Sequence, residues 1–485
     1  MAIAASPTFA LQPSAQQVPL ATNYITNFDF LNQYLPDTYE KEFERYGNRT
    51  VSSFLRMVGA EMPSNSDLIK WAEQGRLHIK YTNVGTAAAA GDSVATFTVN
   101  DTGVPTFAAT TNQMAIKTGQ TVMIVQNDGS GSNKAVVTSV DIAATLGTFT
   151  VAFYDAGGLV TAGTGAGNSD VTVFVYGSEF QKGSDDATMG SLEADDFIFS
   201  NNPIILRDKY AVNGSDMAQI GWIEVTTENG ASGYLWYLKS EHETRLRFDD
   251  YLETAMIEAV PAVAPTTVVT GQTNAQESGY VGSEGVFYVV NNRGNVWGAG
   301  NPTTLAEFDT IISRLDKQGA IEENVLFLNR QFGFDVDDML AAQNSYGAGG
   351  TSYGLFDNDK EMALNLGFTG FRRGYDFYKT DWKYLNDPTM RGDLNSTVGS
   401  GGVTGLMVPA GSTTVYDQIL GKNAKRPFLH VRYRASETED RRYKTWITGS
   451  AGGAQTSGLD AMIVHFLSER AVCTLGANNF MIFNS

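Results

Sequence analysis

The sequence predicts an α+β protein with an all-β barrel or sandwich set into it, on three observations. First, residues 83–178 contain Lys117 and Lys134 as their only basic side chains and no Glu or Arg, while the flanks GRLHIKY and GSEFQKGSDD return to ordinary charge density. Such an abrupt change marks a separate module placed in a loop of a host fold. Second, the stretch GYLWYLKSEHETRLRFDDYLETAMIEAVP, Gly233 to Pro261, reads as one unbroken helix. Third, the last part of the chain alternates strand patterns with capped amphipathic helices, the signature of mixed α and β layers.

Residues 1–36 have no helix or strand period, yet Phe9, Leu11, Tyr24, Phe28, Phe30 and Leu31 are too apolar for a solvated tail. Pro7, Pro13, Pro19 and Pro36 keep the segment extended. At about 3.3–3.6 Å per residue it reaches on the order of 100 Å, which suits an arm laid on a neighbouring subunit. Residues 37–65 follow with two helix patterns, the first capped by Asp37 and Thr38 and ended by Gly47. SDLIKWAEQG then reads as a short helix stopped at Gly75, and RLHIKYTNV as a strand.

Inside the module, SVATFTV, GQTVMIVQNDGSGSNKAVVTSVDI, GTFTVAFYD and DVTVFVYG alternate apolar and polar residues between glycine turns. Short strands at regular spacing point to a small antiparallel barrel or sandwich. Asp128 with the following GSGSN is a hairpin turn.

The long helix spans roughly 28 residues, about 42 Å at 1.5 Å each. Glu241 stands four before Arg245, and Glu243 four before Arg247, the favourable order for ion pairs on one helix face. Leu235, Leu238, His242 and Leu246 share one side with Trp236 nearby, whereas Phe248, Leu252, Ala255, Met256 and Ala259 lie on a face rotated by about 100°. Two partners are implied, so the helix is expected to act as a spine joining modules rather than as a coiled-coil seam. Beyond it come GVFYVVNNRG as a strand, TTLAEFDTIISRLDKQG as a capped helix with its stop at Gly319, NVLFLN as a buried strand and DVDDMLAAQN as a helix. GLMVPAG, PFLHVRYRA and the closing DAMIVHFLSERAVCTLGANNFMIF read as strands, the last as two runs around a Gly-Ala-Asn-Asn turn.

The 485 residues carry 34 Lys and Arg against 53 Asp and Glu, a formal net charge of −19. That balance argues against nucleic-acid binding as the main task, because phosphate contacts need clustered cations. Cys473 is the single cysteine, which excludes a disulfide framework and a Cys-based metal site and suits a reducing interior. The first basic residue is Lys41, and no apolar run reaches the roughly 18 residues of a membrane span, so neither secretion by a signal peptide nor membrane insertion is expected.

Catalytic patterns are scarce. Gly350-Thr351-Ser352-Tyr353-Gly354 has the spacing of a nucleophile elbow, but a glycine loop precedes it, and Ser352 with His430 or His465 makes only a remote hydrolase reading. His78, His242, His430 and His465 stand alone and read as packing residues of strands and helices. Asp335, Asp337 and Asp338 sit where a helix is expected to begin, suiting its dipole better than calcium. Asp249 and Asp250 diverge on a helix and make no carboxylate dyad. No catalytic, cofactor or metal site is expected, and the chain reads as structural rather than enzymatic.

In its order of parts the chain resembles the major capsid proteins of tailed bacteriophages with the HK97 fold. The resemblance rests on GYLWYLKSEHETRLRFDDYLETAMIEAVP, NVLFLNRQFGFDVDDML and FLSERAVCTLGANNFMIF, and WAEQGRLHI resembles crAss-like gut phages in particular. It implies an N-arm at 1–36, peripheral-domain helices at 37–65, an E-loop region at 66–230 carrying the insert at 83–178, the spine helix and peripheral strands at 231–302, an axial domain at 303–458, and strands returning to the core at 459–485. It further implies self-assembly as hexamers and pentamers into an icosahedral shell around double-stranded DNA, held without sequence-specific contacts. Portal and auxiliary or decoration proteins are the implied partners, the virion capsid is the location, and assembly takes place in the host bacterial cytoplasm. Phe9, Leu11, Tyr24, Phe28, Phe30, Leu31, Trp236, Glu241, Arg245 and Arg247 are the assembly candidates. The covalent Lys–Asn crosslink of one branch falls on no particular residue here. The competing reading is a β-rich fibre or surface-layer protein with a glycan-binding insert.

Overall fold

A computed structural model describes residues 60–100, 114–141, 147–165, 167–184, 196–217, 225–226, 232–233, 236–264, 273–319, 321–344, 369–392, 402–417, 422–451 and 455–484. Its strands in chain order are β1 (Ala60–Ser64), β2 (Ile69–Gln74), β3 (Lys80–Thr86), β4 (Val94–Val99), β5 (Gln120–Gln126), β6 (Ser132–Asp141), β7 (Thr148–Phe153), β8 (Val171–Ser178), β9 (Asp196–Asn201), β10 (Ile204–Asn213), β11 (Val225–Thr226) and β12 (Ser232–Gly233). Helix α1 (Trp236–Glu258) and helix α2 (Val286–Arg293) follow, then β13 (Asn295–Trp297), α3 (Leu305–Gln318), β14 (Glu323–Leu328) and α4 (Arg330–Asn344). The remainder is β15 (Gly370–Arg373), β16 (Tyr375–Asp381), β17 (Val403–Pro409), β18 (Ser412–Asp417), β19 (Lys422–Pro427), β20 (Leu429–Arg434), β21 (Lys444–Gly449), β22 (Ala461–Thr474) and β23 (Met481–Asn484). The chain divides into two compact units, one of residues 66–203 with 473–478 and the other of the remaining described residues.

In the smaller unit, β3-β4-β7-β6-β5-β8 close into a barrel in which neighbouring strands are antiparallel. Alternation explains the closure: Phe97, Val122, Ile124, Ala135, Val137, Phe149, Val151, Val171 and Val173 all point inward and are buried. Phe97 and Phe149 are direct cross-strand partners, with ring centroids 5.5 Å apart. The barrel mouth is fastened by Asp170, whose Oδ2 accepts from the backbone N–H of Thr86 at 3.2 Å and of Thr164 at 3.0 Å, while its Oδ1 accepts from the Thr164 hydroxyl. Gly163 is required beside it, since a Cβ there would lie 2.0 Å from the Thr86 carbonyl oxygen. Burial alone would raise the Asp170 carboxyl, but the hydrogen bonds from Thr164, Thr86 and Gly165 prevail and hold it below 3.8.

SDLIKWAEQG does not make the helix the sequence suggests. Residues 69–74 form β2, antiparallel to β9, with Trp71 directly across from Phe199 at 6.3 Å between centroids. Cross-strand pairing outweighs the weak helix preference of Ala72, Glu73 and Gln74.

In the larger unit, one sheet runs β1-β20-β22-β10, with β21 also paired to β22. A second runs β13-β23-β17-β14-β16-β15 and mixes parallel with antiparallel pairs. The closing run is therefore no hairpin: β22 lies in the first sheet and β23 in the second, and the Gly-Ala-Asn-Asn stretch carries the chain between them through Gly476 at φ 63°. GVFYVVNNRG is likewise helix α2, not a strand. Val286, Phe287, Val289 and Val290 bury one helical face, and this tertiary packing overrides the poor helix preference of β-branched residues. Gly285 lets α2 start against the end of α1, because a Cβ would sit 2.7 Å from Ala259 backbone atoms.

The capped helix appears as expected. Thr304 and Glu307 form a reciprocal capping box on α3, and Gly319 closes it in the left-handed region at φ 79°. The acidic trio Asp335, Asp337 and Asp338 lies one to two turns inside α4 rather than at its start. Asp337 pairs with Lys379 at 2.5 Å, and Asp335 accepts from Asn301 at 2.7 Å, so tertiary partners account for these two. Ala60–Met62, expected to end a helix, are in β1, while 37–59 lie outside the described residues.

Helix α1 serves two cores. Phe248 and Leu252 pack with Met462, Val464 and Phe466 of β22, whereas Met256 and Ile257 enter the larger cluster with Val286, Val290, Phe327, Leu429 and Ile482. The change of partner falls within the second predicted face. Of the first face, His242 is exposed and Leu246 half-buried. The helix end is tied by Glu258, which accepts from the Tyr384 hydroxyl at 2.6 Å and from Arg391.

Two outcomes follow from this packing. Phe248→Ala should cost about 3–5 kcal/mol of stability in urea unfolding, the range for deleting a fully buried phenyl. Because the Asp170 carboxyl is depressed, its contribution should be complete above 3.8 and vanish as pH falls through the lowered value. Asp170→Asn should flatten that acid limb in pH-dependent unfolding of the full chain.

Candidate functional site

Strand β10 is built to face two ways. In IILRDKYAVN, Ile205, Arg207 and Lys209 are exposed, while Leu206 packs toward the cluster of Phe248. Asp208 sits among the inward set and receives Arg247 of α1 through Nε and Nη2, each at 3.1 Å. Arg247 therefore bonds across to the sheet. Arg245 turns to the Tyr443 ring, 5.9 Å from its centroid, instead of pairing with Glu241. Tyr443 stacks edge-on to Phe248 at 5.4 Å, and burial, reinforced by Asp249, pushes its hydroxyl up to about 12.

The backbone of Trp236 opens α1, but its side chain lies outside the described residues, as do Phe9, Leu11, Tyr24, Phe28, Phe30 and Leu31. The described assembly candidates thus come down to Glu241, Arg245 and Arg247. The last two hold the helix to its own sheet.

A denser polar knot, which no sequence pattern signals, lies where β1 meets the end of β22. Arg470 is buried, with Nη1 3.3 Å from Glu61, Nε 2.9 Å from the Ser468 hydroxyl and Nη2 3.0 Å from the Arg442 carbonyl. Arg442 closes the loop by bonding the other oxygen of Glu61. Glu469, also buried, takes Arg441 at 2.8 Å and Arg434 at 4.0 Å. Burial lowers the Arg470 pKa, and Glu61 opposes that shift. A residue-by-residue scan misses the knot because Glu61 and Arg470 are 409 positions apart.

The β2–β9 ribbon has the opposite character. Phe197 is 44% exposed and Ile198 69% exposed, and since neighbours on a strand point oppositely, apolar surface stands open on both faces. Leu68 at 41% and Leu77 at 80% extend it. One hydrogen bond, from the Gly476 N–H to Glu73 at 2.9 Å, ties the ribbon to a later segment.

Among the described residues, no group of three or more His, Cys, Asp or Glu is arranged to hold a metal ion. His78 and His242 are exposed, whereas His430 is buried and driven down to about 4, chiefly by burial. His465 stacks on Trp446 at 4.9 Å. Asp250 is buried, and Asp249 faces Tyr443. The stretch 350–354 lies outside the described residues. No described helix is long and apolar enough to cross a membrane.

No family model matches the sequence, and no curated protein matches it. Among solved structures, the chain is similar to one from Microbacterium phage Oxtober96, at 10% identity over 95% of this chain and 99% of that one, with a TM-score of 0.40. It is similar to the capsid of a native GTA particle at 9% identity over 93% and 95%, with a TM-score of 0.37. It is also similar to the capsid asymmetric unit of cyanophage Pam1, at 12% identity over 64% and 82%, with a TM-score of 0.36. Two of the three are described as capsids, the class named by the sequence resemblance. All three scores lie below 0.5, so the likeness by itself decides nothing.

The knot makes a testable claim. Arg470→Ala should destabilise the chain by about 1–3 kcal/mol in urea unfolding, because it leaves the Arg442 carbonyl and one oxygen of Glu61 without their donor while Arg442 still holds the other oxygen. Combining it with Glu61→Ala should cost less than the sum of the two single changes.

Proposed function

We infer that the chain is a shell-forming structural protein, the major capsid protein of a tailed bacteriophage with an HK97-like arrangement. The observation that carries this reading is the β2–β9 ribbon. A two-stranded ribbon is marginal by itself in water, and this one leaves Phe197 and Ile198 open on opposite faces. Copies of the same chain, packed on either side, would bury both. The apolar segment 1–36 offers a second reach toward neighbours, and many modest contacts of this kind add to a cooperative lattice.

In this reading residues 1–36 are the arm, 66–230 the projecting loop with its insert at 83–178, α1 the spine, and 303–458 the axial part. The copies gather as hexamers and pentamers and close an icosahedral shell around double-stranded DNA. The net charge of −19 then keeps the wall from gripping a polyanion. Assembly in the bacterial cytoplasm and joining to portal and auxiliary proteins complete the role, which is structural rather than enzymatic.

Negative-stain microscopy of the expressed chain should show rings or shells. Ile198→Asp combined with Phe197→Asp should abolish them while leaving the urea unfolding midpoint nearly unchanged, and deletion of residues 1–36 should do the same. Normal shells from both altered chains would overturn the reading.

A further inference from the structure

We propose that the outer wall of the barrel carries a binding surface for neutral oligosaccharides, centred on Tyr154 and Tyr176. The strand registers bring one outward row across four strands. Lys80 of β3 stands beside Phe174 of β8, Phe174 beside Met123 of β5, and Met123 beside Lys134 of β6. The Tyr154 N–H, just past β7, bonds the Lys134 carbonyl at 3.1 Å and continues the row. Tyr176 lies two residues along β8 from Phe174, and the Lys134 ammonium sits 5.8 Å from its ring centroid. The Tyr154 hydroxyl donates to Glu179 at 2.5 Å, which together with burial pushes that phenol up to about 12.

These side chains are open. Tyr154 is 49% exposed, Tyr176 46% and Phe174 38%, although the strands beneath them have a complete core of their own. Folding of the barrel therefore does not explain three aromatic rings on its outside. Their chemistry narrows the ligand. Flat phenol rings stack on the C–H faces of pyranose sugars and stay partly wet through their hydroxyls. Lys134 is one of only two bases in 83–178, and it stands within this aromatic group, where it can donate to sugar hydroxyls. Glu179 keeps free lone pairs after binding Tyr154 and can accept from them. At Tyr154 and Tyr176 the charges of Lys134 and Glu179 offset one another, and Lys80 stands at the far end of the row beside Phe174, so the centre of the surface matches an uncharged, hydroxyl-bearing partner better than a nucleic acid or an acidic peptide. Such contacts are individually weak, but a shell displaying many copies would bind through avidity.

The test is retention of the full-length chain on immobilised neutral cello-, chito- and malto-oligosaccharides. The parent chain should be retained at low and high salt alike, because no net charge is involved. Tyr154→Ala with Tyr176→Ala should reduce retention at least about tenfold, the loss of two stacking platforms at roughly 1 kcal/mol each or more. Tyr154→Phe should reduce it only a few-fold, and Val94→Ser on β4 should leave it unchanged. Absence of retention on all three sugars, equal retention by the double variant, or retention abolished by salt would each overturn the proposal. Shell formation scored on the same double variant should be normal, so failure here and failure of the capsid reading are told apart.

Discussion

The sharing of α1 between two hydrophobic cores is the constraint on which the larger unit depends. Phe248 and Leu252 belong to the cluster on β22, and about one turn beyond Leu252, Met256 and Ile257 belong to the cluster that holds α2, β14, β17 and β23. A straight helix fixes the distance between these attachments, since its rise per residue is not adjustable. The two sheets also meet directly in the larger cluster, where Leu429 and Val431 of β20 lie with Phe327 and Ile482, and the helix ties that shared core to the cluster on β22. The hydrogen bonds from Tyr384 and Arg391 to the half-buried Glu258 pin its far end.

Charge in this chain is used in two distinct ways. Most acidic groups are spread through the sequence and give a net charge that resists non-specific contact with polyanions. Two charges, Glu469 and Arg470, are buried and held by partners in fixed places, with the more exposed Glu61 and Arg442 closing the ring around Arg470. Such a network adds less to net stability than its count of contacts suggests, because desolvation offsets the attraction. Its geometric effect is larger, since β1 meets β20 in parallel and would slip in register without a directional tie.

How much of this was legible beforehand depended on whether a signal was local. The barrel strands were legible because alternation, glycine turns and the lack of Glu and Arg all pointed the same way. The capping box of Thr304 and Glu307 and the stop at Gly319 were equally plain. GVFYVVNNRG and SDLIKWAEQG misled because each is short, and its partner decides between periods of 2 and 3.6. For Trp71 that partner is Phe199, over a hundred residues on, and for Val286 and Val290 it is a core assembled from six other elements. The Glu241–Arg245 and Glu243–Arg247 spacings gave true helix positions, but Asp208 and Tyr443 also engage these arginines, and the sequence does not reveal their proximity. The open apolar ribbon was invisible for the same reason: Phe197 and Ile198 look like core until the strand pairing is known.

Closure of the barrel has a consequence for crowding. In a closed ring of antiparallel strands every ladder is occupied, so no edge remains onto which another chain's backbone can add. A module of that kind can be held at very high local density, shoulder to shoulder with identical modules, without nucleating the sheet growth that an open sandwich would invite. Its side chains are then free to vary, because the safeguard against aggregation resides in the backbone circuit and not in any particular residue on the wall.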